Sequence, residues 1–148
     1  MRAQASFEFL TTYGWAILVI LIAAGALAYF GVFNPGQYIP NQCEISPELS
    51  CVDYTVTHDS VQFMLLNNYE KSIDITDVLA SHYTAGNFTC TPSTTTLLAG
   101  STGEFNCTSS TYTFSQGEKA DIKVEVTFRR TGGTQEYTVR GRILMTVG

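Results

Sequence analysis

One long apolar helix followed by an antiparallel all-β sandwich is the α+β arrangement that the sequence predicts, and three features carry it. No Asp, Glu, Lys or Arg occurs between Glu8 and Glu44. From Gly14 to Phe33 the run GWAILVILIAAGALAYFGVF is apolar throughout, interrupted only by glycines. After Cys51 apolar and polar residues begin to alternate, the period of a strand with one covered face.

The helix comes first. A membrane-spanning helix needs about 20 apolar residues, which this run supplies. A secretory signal has an apolar stretch of roughly 7 to 15 residues and a small-residue cleavage site after it. Here the run is longer, and Asn34-Pro35-Gly36 follows it with helix breakers, so a retained helix is expected over residues 4–33. At about 1.5 Å per residue its length is about 45 Å, against a hydrocarbon layer of about 30 Å. Arg2 is the only basic residue near either flank, which places the N-terminus in the cytoplasm and residues 34–148 outside. Ala16, Ala23, Ala24, Gly25, Ala26, Ala28 and Gly31 are small. Small residues at three- and four-residue spacing let helix backbones approach closely, although ordinary membrane-helix composition gives the same pattern.

Glu8 is what a simple anchor does not need. A carboxylate costs about 2.5 to 3.5 kcal/mol at the bilayer centre and less near an interface. Either headgroup water or a counter-charge must compensate it.

Residues 34–51 read as a linker and 52–148 as the outer β domain. Without its N-terminal third the chain keeps roughly 110 residues, enough for one modest core. Val52, Tyr54 and Val56 share one parity, and after His58-Asp59-Ser60 the run VQFMLL completes a hairpin that Asn67-Asn68 ends. A further strand is expected from Ile73 to Leu79. Ile122, Val124, Val126 and Phe128 alternate strictly with Asp121, Lys123, Glu125 and Thr127. Thr131-Gly132-Gly133 then supplies a turn. Tyr137, Val139, Ile143, Met145 and Val147 continue on one parity, with Gly141 marking a bulge or a close backbone contact. Several short strands with turns between them predict a sandwich, an immunoglobulin-like one being among the forms that fit.

Four cysteines allow three pairings. No CxxC pair occurs, and His58 and His82 are not at ligand spacing, which disfavours zinc. Free buried thiols are the bland alternative to two disulfides in an oxidising exterior. Cys43 and Cys51 bracket Pro47 in a short loop after the helix, and Cys90 and Cys107 bracket a Thr- and Ser-rich stretch that reads as a hairpin with Gly100 near its tip. These two pairings are the ones expected.

Asn87-Phe88-Thr89 and Asn106-Cys107-Thr108 are N-glycosylation sequons, a pattern that also arises by chance in threonine-rich sequence. The formal charge of −5 and the scatter of eight Lys and Arg give no basic face for nucleic acid. No Gly-rich phosphate loop, nucleophile elbow, HExxH or paired carboxylates stand out, so neither an enzyme, a metal site nor a cofactor is expected. His58 beside Asp59 reads as a solvated turn, and Tyr69, Tyr83, Tyr112 and Phe114 as core.

The residues around Glu8 carry a family resemblance. MRAQASFEFL resembles the processing site of archaeal type IV pilins of the euryarchaeal, class III signal peptide kind: a short basic leader, a small residue, then Gln-x-Ser-x-Glu leading into the helix. Arg2, Ala3, Gln4, Ser6 and Glu8 match in place. The pattern of archaellins, the related motility subunits, differs. The resemblance implies that residues 1–3 are a leader and that a prepilin peptidase cuts between Ala3 and Gln4. Glu8 then becomes the fifth residue and neutralises the new α-amine on Gln4 of a neighbouring subunit. It further implies a homo-oligomeric helical filament for surface adhesion or cell-cell contact. The precursor would lie in the cell membrane, to be extracted by an assembly ATPase and platform proteins. A single-pass anchored β-domain binding module that does not polymerise is the alternative.

Overall fold

A computed structural model describes residues 2–34, 39–92 and 94–148, and the chain divides into two compact units, residues 1–39 and 40–148. Among the described residues the first holds one helix, α1 (Arg2–Tyr29). It ends four residues before the expected Phe33, and the cause is Gly31 rather than the Asn34-Pro35-Gly36 breaker, whose Pro35 and Gly36 lie outside the described residues. Gly31 has φ +72°. Its N–H bonds the Ala28 carbonyl at 3.0 Å while the Val32 N–H bonds the Leu27 carbonyl at 3.1 Å. These are the paired 5→2 and 6→1 bonds of a Schellman cap, which use up the last carbonyls and need a residue tolerant of left-handed backbone.

The second unit is antiparallel β throughout: β1 (Gln42–Glu44), β2 (Leu49–Val56), β3 (Ser60–Asn67), β4 (Ile73–His82), β5 (Gly86–Pro92), β6 (Thr96–Leu97), β7 (Thr102–Thr108), β8 (Lys119–Arg130) and β9 (Glu136–Thr146). The strands form one continuous sheet in the order β1-β9-β8-β4-β5-β7-β3-β2, with β6 pairing β4 off that path. The sheet doubles over into a sandwich-like, nearly closed shell. β5 makes the turn between layers, pairing β4 through Leu79↔Thr89 to His82↔Gly86 and β7 through Thr89↔Thr108 to Pro92↔Phe105. The segment expected as linker contains β1 and the start of β2, so the β domain begins before residue 52.

The alternating residues fill the interior. Ile122, Val124, Val126 and Phe128 are all buried, as are Val61, Phe63 and Leu65 of β3. Phe63 stacks on Phe105 with centroids 5.4 Å apart. Two bulges shift the phase of the alternation. In β2 the register slips between Cys51 and Asp53, making Val52 the extra residue. Val52 is therefore 55% exposed although it shares parity with buried Val56. In β4 the slip falls between Ile75 and Asp77, so Ile73 and Ile75 point inward before it and Ala80 and His82 after it.

The cysteines form the bonds Cys43–Cys51 and Cys90–Cys107. Cys90 and Cys107 are directly opposed on β5 and β7. Those strands do pair as the hairpin reading requires, but their connection carries β6 across to β4 before Gly100 turns the chain back. The first bond has a larger topological role. β1 begins the strand path and β2 ends it, so Cys43–Cys51 joins the two edges of the sheet covalently. Replacing both cysteines by serine is expected to cost about 2.5 kcal/mol by loop entropy. Urea unfolding of the full chain in detergent checks this, with hydrogen exchange expected to rise first at residues 41–50.

Close approach at this seam explains Gly141. A Cβ there would lie 2.4 Å from both the Glu44 carbonyl oxygen and the Ile45 Cα. At Gly103 a Cβ would meet the Leu97 Cδ2 at 2.4 Å, the far end of a flexible side chain. Gly141→Ala is thus expected to lose about 1–3 kcal/mol and Gly103→Ala less, because backbone cannot rotate out of the way. Thermal unfolding of the two variants side by side reads the difference.

Candidate assembly site on the N-terminal helix

The residues singled out at the N-terminus all lie in α1. Gln4 and Glu8 are four apart, hence on one helix face a turn from each other, and both are exposed. Glu8 is the only charged side chain from Ala3 to Tyr29. Two turns into the helix, Thr11 Oγ1 donates to the Phe7 carbonyl at 3.1 Å or the Glu8 carbonyl at 3.0 Å. Its hydroxyl is thereby satisfied within the helix, leaving little for an apolar surround to desolvate.

From Gly14 onward the helix surface is apolar on every side. Ile20, Leu21 and Ile22 follow one another at about 100° around the axis, and each is exposed, as are Phe7, Leu10 and Trp15. Within Ala3–Tyr29 an 18-residue stretch has a mean hydropathy of 2.0, and the helix is long and apolar enough to cross a membrane. A helix hydrophobic all round belongs in lipid or among other helices. Gly14 and Gly25 have open space where a Cβ would stand, so another backbone can approach there.

The sequons differ in their surroundings. Asn87 is exposed near the start of β5, whereas Asn106 is half-buried in the middle of the sheet, between Gln62 of β3 and Thr91 of β5. The Asn106 Oδ1 is buried with no hydrogen-bond partner. His58 and Asp59 occupy the exposed β2–β3 turn, His58 Nδ1 being 3.6 Å from Asp59 Oδ1. His82 is buried, its Nδ1 accepting the N–H of Ala85 at 3.3 Å and of Thr84 at 3.4 Å. Its ring packs against Tyr112 and Phe114. That role is structural, and no helical or strand pattern announced it.

Of the four aromatics read as core, Phe114 is buried and Tyr69 and Tyr112 are half-buried. Burial raises the Tyr69 and Tyr112 phenols above their ordinary pKa, with Glu48 and Glu118 respectively adding to it. Tyr83 is the exception at 91% exposed. It caps the β4–β5 turn, where no opposing strand can cover it, and rests on His82 at 4.6 Å. No protein-family model matches the chain, and no curated protein matches it.

Proposed function

We propose that the chain is the structural subunit of an extracellular filament of the archaeal type IV pilus kind, assembled by packing copies of α1 into a central core. One observation carries the reading: from Ala3 to Tyr29 Glu8 is the only charged side chain on a helix whose surface is mostly apolar, and it shares a face with Gln4 one turn away. For an anchor this carboxylate is only a cost. In a stack of helices it has a use, because cleavage after Ala3 leaves an α-amine on Gln4, mostly protonated near neutral pH given a reference pKa of about 7.7 to 8. Glu8 of one copy and the Gln4 amine of the next then form a charge-assisted pair shielded from water.

The remaining features support this reading. The apolar helix holds the precursor in the cell membrane, where a prepilin peptidase, an assembly ATPase and platform proteins process and extract it. Two disulfides suit an oxidising exterior, where the β domain would coat the fibre. Asn87, being exposed, is the better placed of the two asparagines to carry a glycan. No cofactor enters the scheme.

The N-terminal residue of subunits recovered from sheared cell-surface fibres tests the proposal. Gln4 is the expected first residue. A chain that keeps Met1 and stays wholly in the membrane fraction would instead be the anchored β-domain binding module.

A further inference from the structure

β9 is longer than its outer neighbour. Along one side it pairs β8 from Arg129↔Glu136 to Lys119↔Thr146, while on the other β1 covers only Arg142 to Leu144. Gly141 is occupied by the close approach of Glu44 and Ile45. Among the described residues, Glu136 to Arg140 therefore form an edge with no ladder partner. Open edges are templates for another strand, and proteins usually blunt them with charges. Here the charges are ordered so that they attract a copy of the same edge.

We infer that Glu136–Arg140 of β9 pairs antiparallel with the same segment of a second copy of this chain, about a two-fold axis at Thr138. In that register Glu136 of one copy opposes Arg140 of the other, twice. The chain's own ladder extends the match. Arg140 Nε already lies 2.8 Å from Glu125 Oε1 of β8, and Glu136 is paired in register with Arg129, which in turn lies 3.9 Å from Asp74 of β4. Across the joint sheet one row would read Glu125, Arg140, then Glu136, Arg129 and Asp74 of the second copy, alternating in sign throughout. Cross-strand pairs of opposite charge stabilise a sheet, and like charges destabilise it.

The opposite face agrees independently. Tyr137 and Val139 carry the inward parity of β9, yet Tyr137 is 38% exposed and Val139 only half-buried, because nothing lies beyond the edge. The same register sets Tyr137 against Val139 of the second copy, an aromatic against a β-branched residue, and covers both. At the axis the two Thr138 meet, each already beside Thr127 with hydroxyl oxygens 3.0 Å apart.

This pairing does not rest on the filament reading. It is isologous and closes on two copies, whereas helix stacking propagates. It would therefore link subunits in the membrane, or join neighbouring fibres side by side.

The axis supplies the test. Directly opposed residues have Cα atoms about 4.5 to 5.5 Å apart, within the span of a disulfide. Every native cysteine is already bonded, so Thr138→Cys in the full chain in detergent micelles adds one free thiol. Most of the chain is expected to form a covalent dimer under mild oxidation, at least tenfold more than with exposed Thr102→Cys on β7 as control. In the Thr138→Cys background, Arg140→Glu alone and Glu136→Arg alone should each lose the cross-link by placing like charges opposite. Mixing the two should restore it, because the mixed pair opposes Glu to Arg at both positions. Glu8→Ala should leave the yield unchanged. Cross-linking no greater than the Thr102→Cys control, indifference to Arg140→Glu, or loss of the dimer in Glu8→Ala would each overturn the inference.

Discussion

Glu8→Ala is expected to abolish fibre formation while leaving the β domain folded and the chain in the membrane. In the proposed filament each Gln4 amine enters an apolar core, and removing the carboxylate leaves that cation buried and unpaired. Breaking one partner of a buried pair costs about 3–5 kcal/mol, more than the pair itself contributes. The loss repeats at every subunit, so growth should fall to none rather than slow. Glu8→Asp should retain part of the yield, because the charge survives on a shorter arm. Quantifying sheared fibres against membrane-retained chain reads both variants. An unaltered fibre yield in Glu8→Ala would remove the proposed role of this residue.

Phe105→Ala is expected to have the largest effect on the β domain. Phe105 is fully buried and stacked on Phe63, pairing that residue across β7 and β3. Its removal takes a large ring from the interior of a strand fixed on both sides, so the cavity cannot collapse. Such truncations cost about 3–5 kcal/mol. Small domains have only about 5–15 kcal/mol of stability in total. Circular dichroism of the full chain in detergent should show the β signal melting at much lower temperature, with the helical signal of α1 retained. The disulfide Cys90–Cys107 lies two residues along β7 from Phe105 and will hold β5 and β7 together in the denatured state.

The boundary between what the sequence reveals and what it hides follows from the physics of each element. The helix was legible because its signal is composition over many residues, which local detail cannot disturb. Its end was not, since Gly31 is one of several glycines in the run and only its positive φ, closing two backbone bonds, distinguishes it. β8 was legible because Ile122 to Phe128 alternate without a slip. In β2 and β4 the alternation breaks at Val52 and Thr76, and a bulge cannot be seen in a pattern that assumes constant phase. β5 and β7 were only partly visible because threonine and asparagine fill their outward positions, leaving Phe88, Phe105 and Cys107 as sparse inward markers.

The functional residues divide in the same way. The cysteine partners followed from how closely each pair brackets its loop, but that Cys43–Cys51 ties the first strand of the sheet to the last required the strand order. Gly141 was marked as a bulge or close contact, and the structure identifies Glu44 and Ile45 as what it approaches. The proposed role of Glu8 comes from the residues around it and from resemblance; α1 adds that Gln4 and Glu8 share a face. The edge at Glu136–Arg140 could not have been found in sequence, because β1 is only three residues long and its register decides where β9 becomes bare.

Helical reconstruction of sheared surface fibres by electron cryo-microscopy would read the packing of α1 and the neighbours of Glu8 outright. The proposed filament should show a core of close-packed α1 helices beginning at Gln4. Glu8 of each subunit should lie within hydrogen-bond reach of a neighbour's Gln4 amine, with the β domains outside. Fibres whose core is built without α1, or in which Glu8 faces no amine, would contradict it.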